Sequence, residues 1–224
     1  MPQASAAEIE VVSAGVKLPG LLDVPPQPRG CVVFVHGSGS GHRSPRNRQV
    51  ARVLNESGLA TLLFDLLTEH EDAPDHSARF DIDRLTRRVQ GALQWLKSQS
   101  AVEGLPVGLF GASTGAAAAI RAAASNDVRA VVSRGGRVDL AGREALSRLA
   151  CPTLLIVGDR DDLVLALNER AAHEMLCEKK LLTVPGATHL FEEAGAMEIV
   201  AKTACGWFVR HLTALGGEAE TRTG

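Results

Sequence analysis

Strand-length apolar runs alternate with helical spacing along most of this 224-residue chain. Cys31–Val35, Leu59–Phe64, Pro106–Phe110, Val128–Ser133, Thr153–Val157 and Leu181–Val184 are each short and nearly all apolar. A strand with no polar alternation is covered on both faces, which is the habit of a central parallel strand. Between the runs lie stretches of helical period. One opens at Ser44-Pro45 and stops near Gly58; the others span Phe80–Ser98, Ser113–Ser125, Leu140–Leu149, Leu163–Leu176 and Glu192–Leu212. Parallel neighbours need crossovers, so this alternation predicts an α/β fold, a mostly parallel sheet of about seven or eight strands with helices on both faces. Glu8–Ser13 and Val16–Val24, around Ala14-Gly15, predict an antiparallel start. The longest insertion-like stretch, Glu69–Arg79, leaves no room for a large cap domain.

Ligands in such sheets lie beyond the carboxyl ends of the strands. At one of those ends stands Gly111-Ala-Ser-Thr-Gly115, with a strand before it and an alanine-rich helix after it. A serine between two such glycines sits in a tight, strained turn that lifts its hydroxyl clear of the sheet. Ser113 is the candidate nucleophile. A serine hydroxyl near neutral pH needs a base, and the base an orienting carboxylate.

Three histidines follow Ser113 in the chain. His173 and His211 fall within predicted helices, whereas His189 follows a strand and the turn Pro185-Gly-Ala-Thr188. His189 is therefore the candidate base. After the preceding strand come Asp159, Asp161 and Asp162; Asp161 fits best, with Asp162 next and Asp139 a weaker alternative. Asp159 reads as a turn former or helix cap. A second reading treats the cluster as an acidic helix N-terminus favoured by the dipole. The N–H groups of Ser38, in the loop His36-Gly-Ser-Gly39, and of Thr114 are the candidate oxyanion donors. His36 reads as a loop organiser.

Arg43, Arg46 and Arg48, and Arg134 with Arg137, also lie after strand ends. Each either clamps a substrate carboxylate or pairs with Asp65, Glu69 or Asp139 to hold a loop. Arg134 is the best placed of them. Phe191, Leu66 and Leu67 are candidates for an apolar acyl pocket, and core packing explains them equally well.

These residues together resemble the α/β-hydrolase superfamily. The matching strings are His36-Gly-Ser-Gly, Gly111-Ala-Ser-Thr-Gly115, Gly158-Asp-Arg-Asp-Asp-Leu-Val164 and Pro185-Gly-Ala-Thr-His-Leu-Phe191, between about Gly30 and Leu212. Small size and the lack of a cap resemble the dienelactone-hydrolase-like branch. That branch's namesake uses a cysteine where this chain has Ser113, which favours general carboxylester or lactone hydrolysis. Members with His-Gly-Ser-Gly-Ser and Ser-Pro-Arg-Asn strings also occur fused to phosphoribosyltransferase domains. The resemblance implies a serine hydrolase of small esters or lactones with no cofactor and no metal. An acyltransferase, a peptidase and a non-catalytic accessory module remain as alternatives.

The net charge of −2 gives no reason to expect nucleic acid or an anionic membrane surface as partner. Residues 1–10 lack the basic and apolar regions of a secretory signal, and no apolar run spans a bilayer. The expectation is a single cytoplasmic domain, monomer or homodimer, with residues 1–29 as N-terminal strands and linker and 216–224 as a frayed tail. Four scattered cysteines form no metal spacing; Cys31 and Cys151 read as buried thiols.

Overall fold

The computed structural model describes residues 6–72 and 76–213. The tail expected at 216–224 lies outside them. Eight strands form one sheet: β1 (Ala7–Ser13), β2 (Val16–Asp23), β3 (Cys31–Val35), β4 (Ala60–Phe64), β5 (Val107–Ala112), β6 (Ala130–Arg134), β7 (Thr153–Gly158) and β8 (Lys179–Val184). Their order across the sheet is β1-β2-β4-β3-β5-β6-β7-β8. β1 pairs with β2 antiparallel, and β2 with β4 likewise. All remaining pairings are parallel.

Of the strands expected to be covered on both faces, β3 to β7 are, β5 at all but its first residue, whereas β8, at the edge of the sheet, is buried only at Val184. Every residue of β3, β4, β6 and β7 is buried. Alternation along them divides the core in two. Val33, Leu62, Leu109 and Val131 pack on one face with α3 (Ile82–Leu96) and α4 (Thr114–Ala123). Val32, Phe34, Phe110 and Val132 pack on the other with α1 (Pro45–Glu56) and α7 (Ala196–Thr213). A fully buried side chain such as Phe208 contributes about 1.5–3 kcal/mol by leaving water. Its ring fits because β5 offers Gly108, where a Cβ would stand 2.6 Å from Phe208 Cε1.

Local signals set the helix ends. Ser44 caps α1 through the Asn47 N–H, with Pro45 in the first turn, and Asp81 caps α3 through the Arg84 N–H. Four consecutive alanines, Ala116–Ala119, are fully buried and let α4 lie close against the sheet.

Two expectations need correction. Leu140–Leu149 is not one helix: a 3₁₀ turn, Val138–Ala141, precedes α5 (Arg143–Arg148), and Gly142 at φ +82° breaks the run. The last helix begins at Ala196 rather than Glu192, after Gly195 at φ +81°. Glu193 serves the preceding loop instead, accepting from the Thr188 N–H and Oγ1. The stretch from Glu69 contains a short helix, α2 (Glu69–Asp72), and a 3₁₀ turn, Ser77–Phe80. Cys31 and Cys151 are buried free thiols, each pushed up to about 12 by burial. No helix among the described residues is long and apolar enough to cross a membrane.

Candidate active site

The turn between β5 and α4 has the strain its sequence implies. Ser113 holds φ +49° and ψ −124°, a conformation costly for a residue with a side chain. The flanking glycines explain how it persists. A Cβ at Gly111 would stand 2.5 Å from Ala116 Cα. At Gly115 it would come closer than 3.0 Å to the carbonyls of Val35 and His36. Hydrogen bonds fix the turn from outside: the Ser113 N–H donates to the Arg134 carbonyl at 3.3 Å, and the Ser113 carbonyl accepts from the Arg137 N–H at 3.0 Å.

The loop after β3 lies directly against this serine. A Cβ at Gly37 would be 2.9 Å from Ser113 Cβ, so only glycine allows the approach. His36 organises the loop, as expected. Its Nε2 accepts from the Leu66 N–H at 3.0 Å, which leaves the proton on Nδ1, 2.9 Å from the Gly37 carbonyl. Burial holds its pKa below the ordinary histidine value, keeping the ring neutral. Among the described residues, neither the Ser38 N–H nor the Thr114 N–H has a main-chain acceptor. Thr114 opens α4, where N–H groups have no partner within the helix and the dipole favours anions. Beside these two lies a cleft of about 160 Å³ lined by His36, Ser38, Leu66, Leu67, Arg79 and Thr114.

The acidic cluster after β7 resolves into separate roles. Asp159 ties a turn, its Oδ1 accepting from the Gly186 N–H at 2.7 Å. Asp162 begins α6 (Asp162–Glu174). Asp161 occupies the N-cap position of that helix, yet its side chain caps nothing. Its Oδ2 lies 2.6 Å from His189 Nδ1 instead. The Asp161 side chain is 14% exposed and that of His189 39%. Asp139, the weaker alternative, is bound to Arg137 by two hydrogen bonds of 2.9 and 2.8 Å. His173 lies in α6, and His211 packs at a tilt against Trp207 in α7 with ring centroids 4.5 Å apart.

His189 reaches the serine's neighbourhood through Gly135. A Cβ there would be 3.3 Å from the His189 carbonyl and 3.6 Å from its Cε1. Gly135 directly follows Arg134, which pairs with Ala112 across the β5–β6 ladder. No hydrogen bond joins Ser113 Oγ to His189, whose Nε2 has no partner among the described residues. Gly135, at φ +52°, was legible in sequence only as a spacer between two arginines. A glycine pair directly beyond a strand end beside the serine turn was the available signal.

The arginines divide. Arg137 pairs with Asp139 as the loop-holding reading expects. Arg43 and Arg46 pair with acids that reading did not name, Glu8 at 3.7 Å and Glu192 at 3.1 Å, while Asp65 is held by His42. Arg134 is buried and, among the described residues, has no acidic partner. Phe191 is 1% exposed, in the core on the α1 and α7 face, with the Arg134 guanidinium 5.8 Å from its ring centroid.

A family model described as an alpha/beta hydrolase domain matches residues 28–212. The chain belongs to that family. A dienelactone hydrolase from Anabaena variabilis is 49% identical, with a TM-score of 0.91 over 94% of this chain and 100% of its own. The esterase Est1E from Butyrivibrio proteoclasticus shares the fold at 18% identity, with a TM-score of 0.77 over 91% of this chain and 98% of its own. A Mycobacterium tuberculosis protein provisionally named a phosphoribosyl transferase is 54% identical over 211 residues, 93% of this chain and 47% of that one. This hydrolase-family chain thus spans about half the length of the curated relatives it matches.

Proposed function

We propose that this protein is a serine hydrolase that cleaves small carboxylic esters or lactones. The observation that carries the reading is the Asp161–His189 bond: a helix-cap aspartate leaves its helix uncapped to hold an imidazole at 2.6 Å. In this reading Ser113 Oγ attacks the substrate carbonyl and His189 Nε2 takes its proton. Asp161 keeps the other ring proton on Nδ1 and offsets the charge of the imidazolium. The Ser38 and Thr114 N–H groups receive the oxyanion. The alkoxide leaves with the proton from His189, and water repeats the sequence on the acyl-enzyme. In a lactone the leaving alkoxide stays tethered to the acyl group, so ring opening follows the same steps. The missing Ser113–His189 hydrogen bond is consistent with a resting site, since such bonds commonly tighten only with substrate bound.

The similarity to a dienelactone hydrolase supports a small ester or lactone as substrate. The test is turnover of p-nitrophenyl butyrate by the wild type and by Ser113→Ala. Loss of at least about 10³-fold is expected; turnover within tenfold of wild type refutes the assignment. A second reading, an accessory module beside a transferase domain, draws on the relative of twice the length named a phosphoribosyl transferase. It predicts no turnover by the wild type on a panel of esters, lactones, amides and acyl acceptors.

A further inference from the structure

One short stretch of main chain, residues 134–137, brackets the serine turn. The Arg134 carbonyl accepts the Ser113 N–H, and the Arg137 N–H donates to the Ser113 carbonyl. Between these two anchors lie Gly135 and Gly136, both buried. Gly135 packs against His189, and its N–H donates to the Ile156 carbonyl of β7 at 2.8 Å. Gly136 sits where a Cβ would collide with Ser133 Oγ and stand 2.6 Å from Ala116 Cβ, so the stretch has little room to shift toward β6 or α4. On its remaining side the Gly136 carbonyl accepts a hydrogen bond of 2.9 Å from Asn168 Nδ2.

Asn168 is fully buried in α6, the helix whose N-cap is Asp161. It stands seven residues beyond Asp161, about 10 Å along the axis and, after two turns, on the same side of the helix. Its Nδ2 also donates to the Val164 carbonyl at 2.8 Å. Two neighbouring carbonyls fix the amide's orientation and use both of its donors. Its Oδ1 is buried with no donor among the described residues. A buried amide satisfied at one end only carries a stability cost that an apolar side chain avoids. What this one supplies is a tie between the helix that carries the acid and the loop that brackets the nucleophile and meets the base. The Asp161 side chain caps nothing, so it does not itself fix where α6 starts.

We propose that Asn168 is a positioning residue: it holds α6 in register with residues 134–137, and so holds Asp161 and His189 where Ser113 needs them. The proposal rests on the hydrolase reading for its effect on turnover, but not for the register itself. Asn168 makes its hydrogen bonds to Gly136 and Val164 and none to Ser113, Asp161 or His189, so its influence passes through the helix and the loop. A misplacement of about 1 Å that originates far from the reacting atoms can cost about 10²-fold in rate.

The test compares wild type with Asn168→Leu, Asn168→Ser and Ala171→Gly. The leucine variant removes both donors at similar volume. The serine hydroxyl can still reach the Val164 carbonyl within the helix but not Gly136, and this variant carries the test if the leucine one fails to fold. Ala171→Gly loosens the same buried stretch of α6 and leaves the tie intact. On p-nitrophenyl butyrate, kcat should fall about 10- to 100-fold in both Asn168 variants, with KM within about threefold of wild type. Ala171→Gly should lower the thermal midpoint while keeping kcat within about threefold. Proton NMR gives a readout independent of turnover. The proton between His189 Nδ1 and Asp161 Oδ2, in a bond of 2.6 Å, gives a far-downfield resonance that Asp161→Asn removes. That resonance should shift or broaden in the Asn168 variants and stay in place in Ala171→Gly. A kcat loss in Ala171→Gly equal to that in the Asn168 variants overturns the proposal, leaving Asn168 a structural residue. A displaced resonance in the Asn168 variants, with no ester turnover by the wild type, supports the register and removes only the hydrolase reading. Ester turnover with wild-type kcat and an unmoved resonance in both Asn168 variants removes only the positioning role.

Discussion

Replacing Asp161 by asparagine keeps the shape of the residue and removes its charge, which isolates what the carboxylate does for His189. With Nδ1 and Oδ2 2.6 Å apart, an imidazolium–carboxylate pair at an effective dielectric of 20 gains about 6 kcal/mol. The imidazole side chain is 39% exposed, so water screens roughly a third to a half of this, leaving about 3–4 kcal/mol at the moment the ring is charged. Each 1.36 kcal/mol is tenfold in rate, so kcat/KM on p-nitrophenyl butyrate should fall about 10²- to 10³-fold. Asparagine can also present its NH₂ to Nδ1 and favour the wrong tautomer, deepening the loss. Stability should change little, within about 1 kcal/mol, because the Asp161 side chain caps no helix. Asp162→Asn is the control and should stay within about threefold of wild type in kcat/KM. Stopped assays at matched enzyme concentration, with thermal melts of each variant, measure both effects. Near-normal turnover by Asp161→Asn, with the large loss in Asp162→Asn instead, would refute the reasoning.

Two further outcomes follow from the geometry. Gly115→Ala should cost at least about 3 kcal/mol and lower the thermal midpoint, because its Cβ meets the rigid carbonyls of Val35 and His36; a melt within 1 °C of wild type would contradict the packing. Burial holds the His36 pKa below its unfolded value of 6.5. Below pH 6.5 the unfolded chain binds that proton first, so stability falls as pH drops toward the folded pKa, by up to about 1.4 kcal/mol per pH unit for this one group. Denaturant midpoints between pH 7.5 and 5 should show that slope, and His36→Gln should flatten it; an equal slope in both would assign the acid loss to other groups.

The strand order of chemistry was readable because parallel strands must be apolar throughout and must be separated by crossovers. That put Ser113, His189 and the aspartates at strand ends before any coordinates. Spacing ranked Asp161 ahead of Asp162, and the structure adds the physical reason for the choice: the Asp161 carboxylate leaves its helix uncapped and meets His189. Arg134 and Arg137 look alike in sequence. The fold distinguishes them: Arg137 has an acid two residues on, whereas Arg134 points into the packed face beneath α1 and α7. The Arg46–Glu192 pair spans 146 positions, which no local pattern encodes. Apolar spacing continues across Gly142 and Gly195, but positive φ at each breaks the helix, between the 3₁₀ turn and α5 at the first and just before α7 at the second.

Whether Ser113 is a nucleophile activated by its surroundings is tested most directly by intact-mass analysis after exposure to a fluorophosphonate, followed by peptide mapping. The account predicts one phosphonyl adduct per chain, located on Ser113, absent in Ser113→Ala and slowed at least about 10²-fold in His189→Ala. An unlabelled wild type, or an adduct on another residue while ester turnover persists, would contradict it.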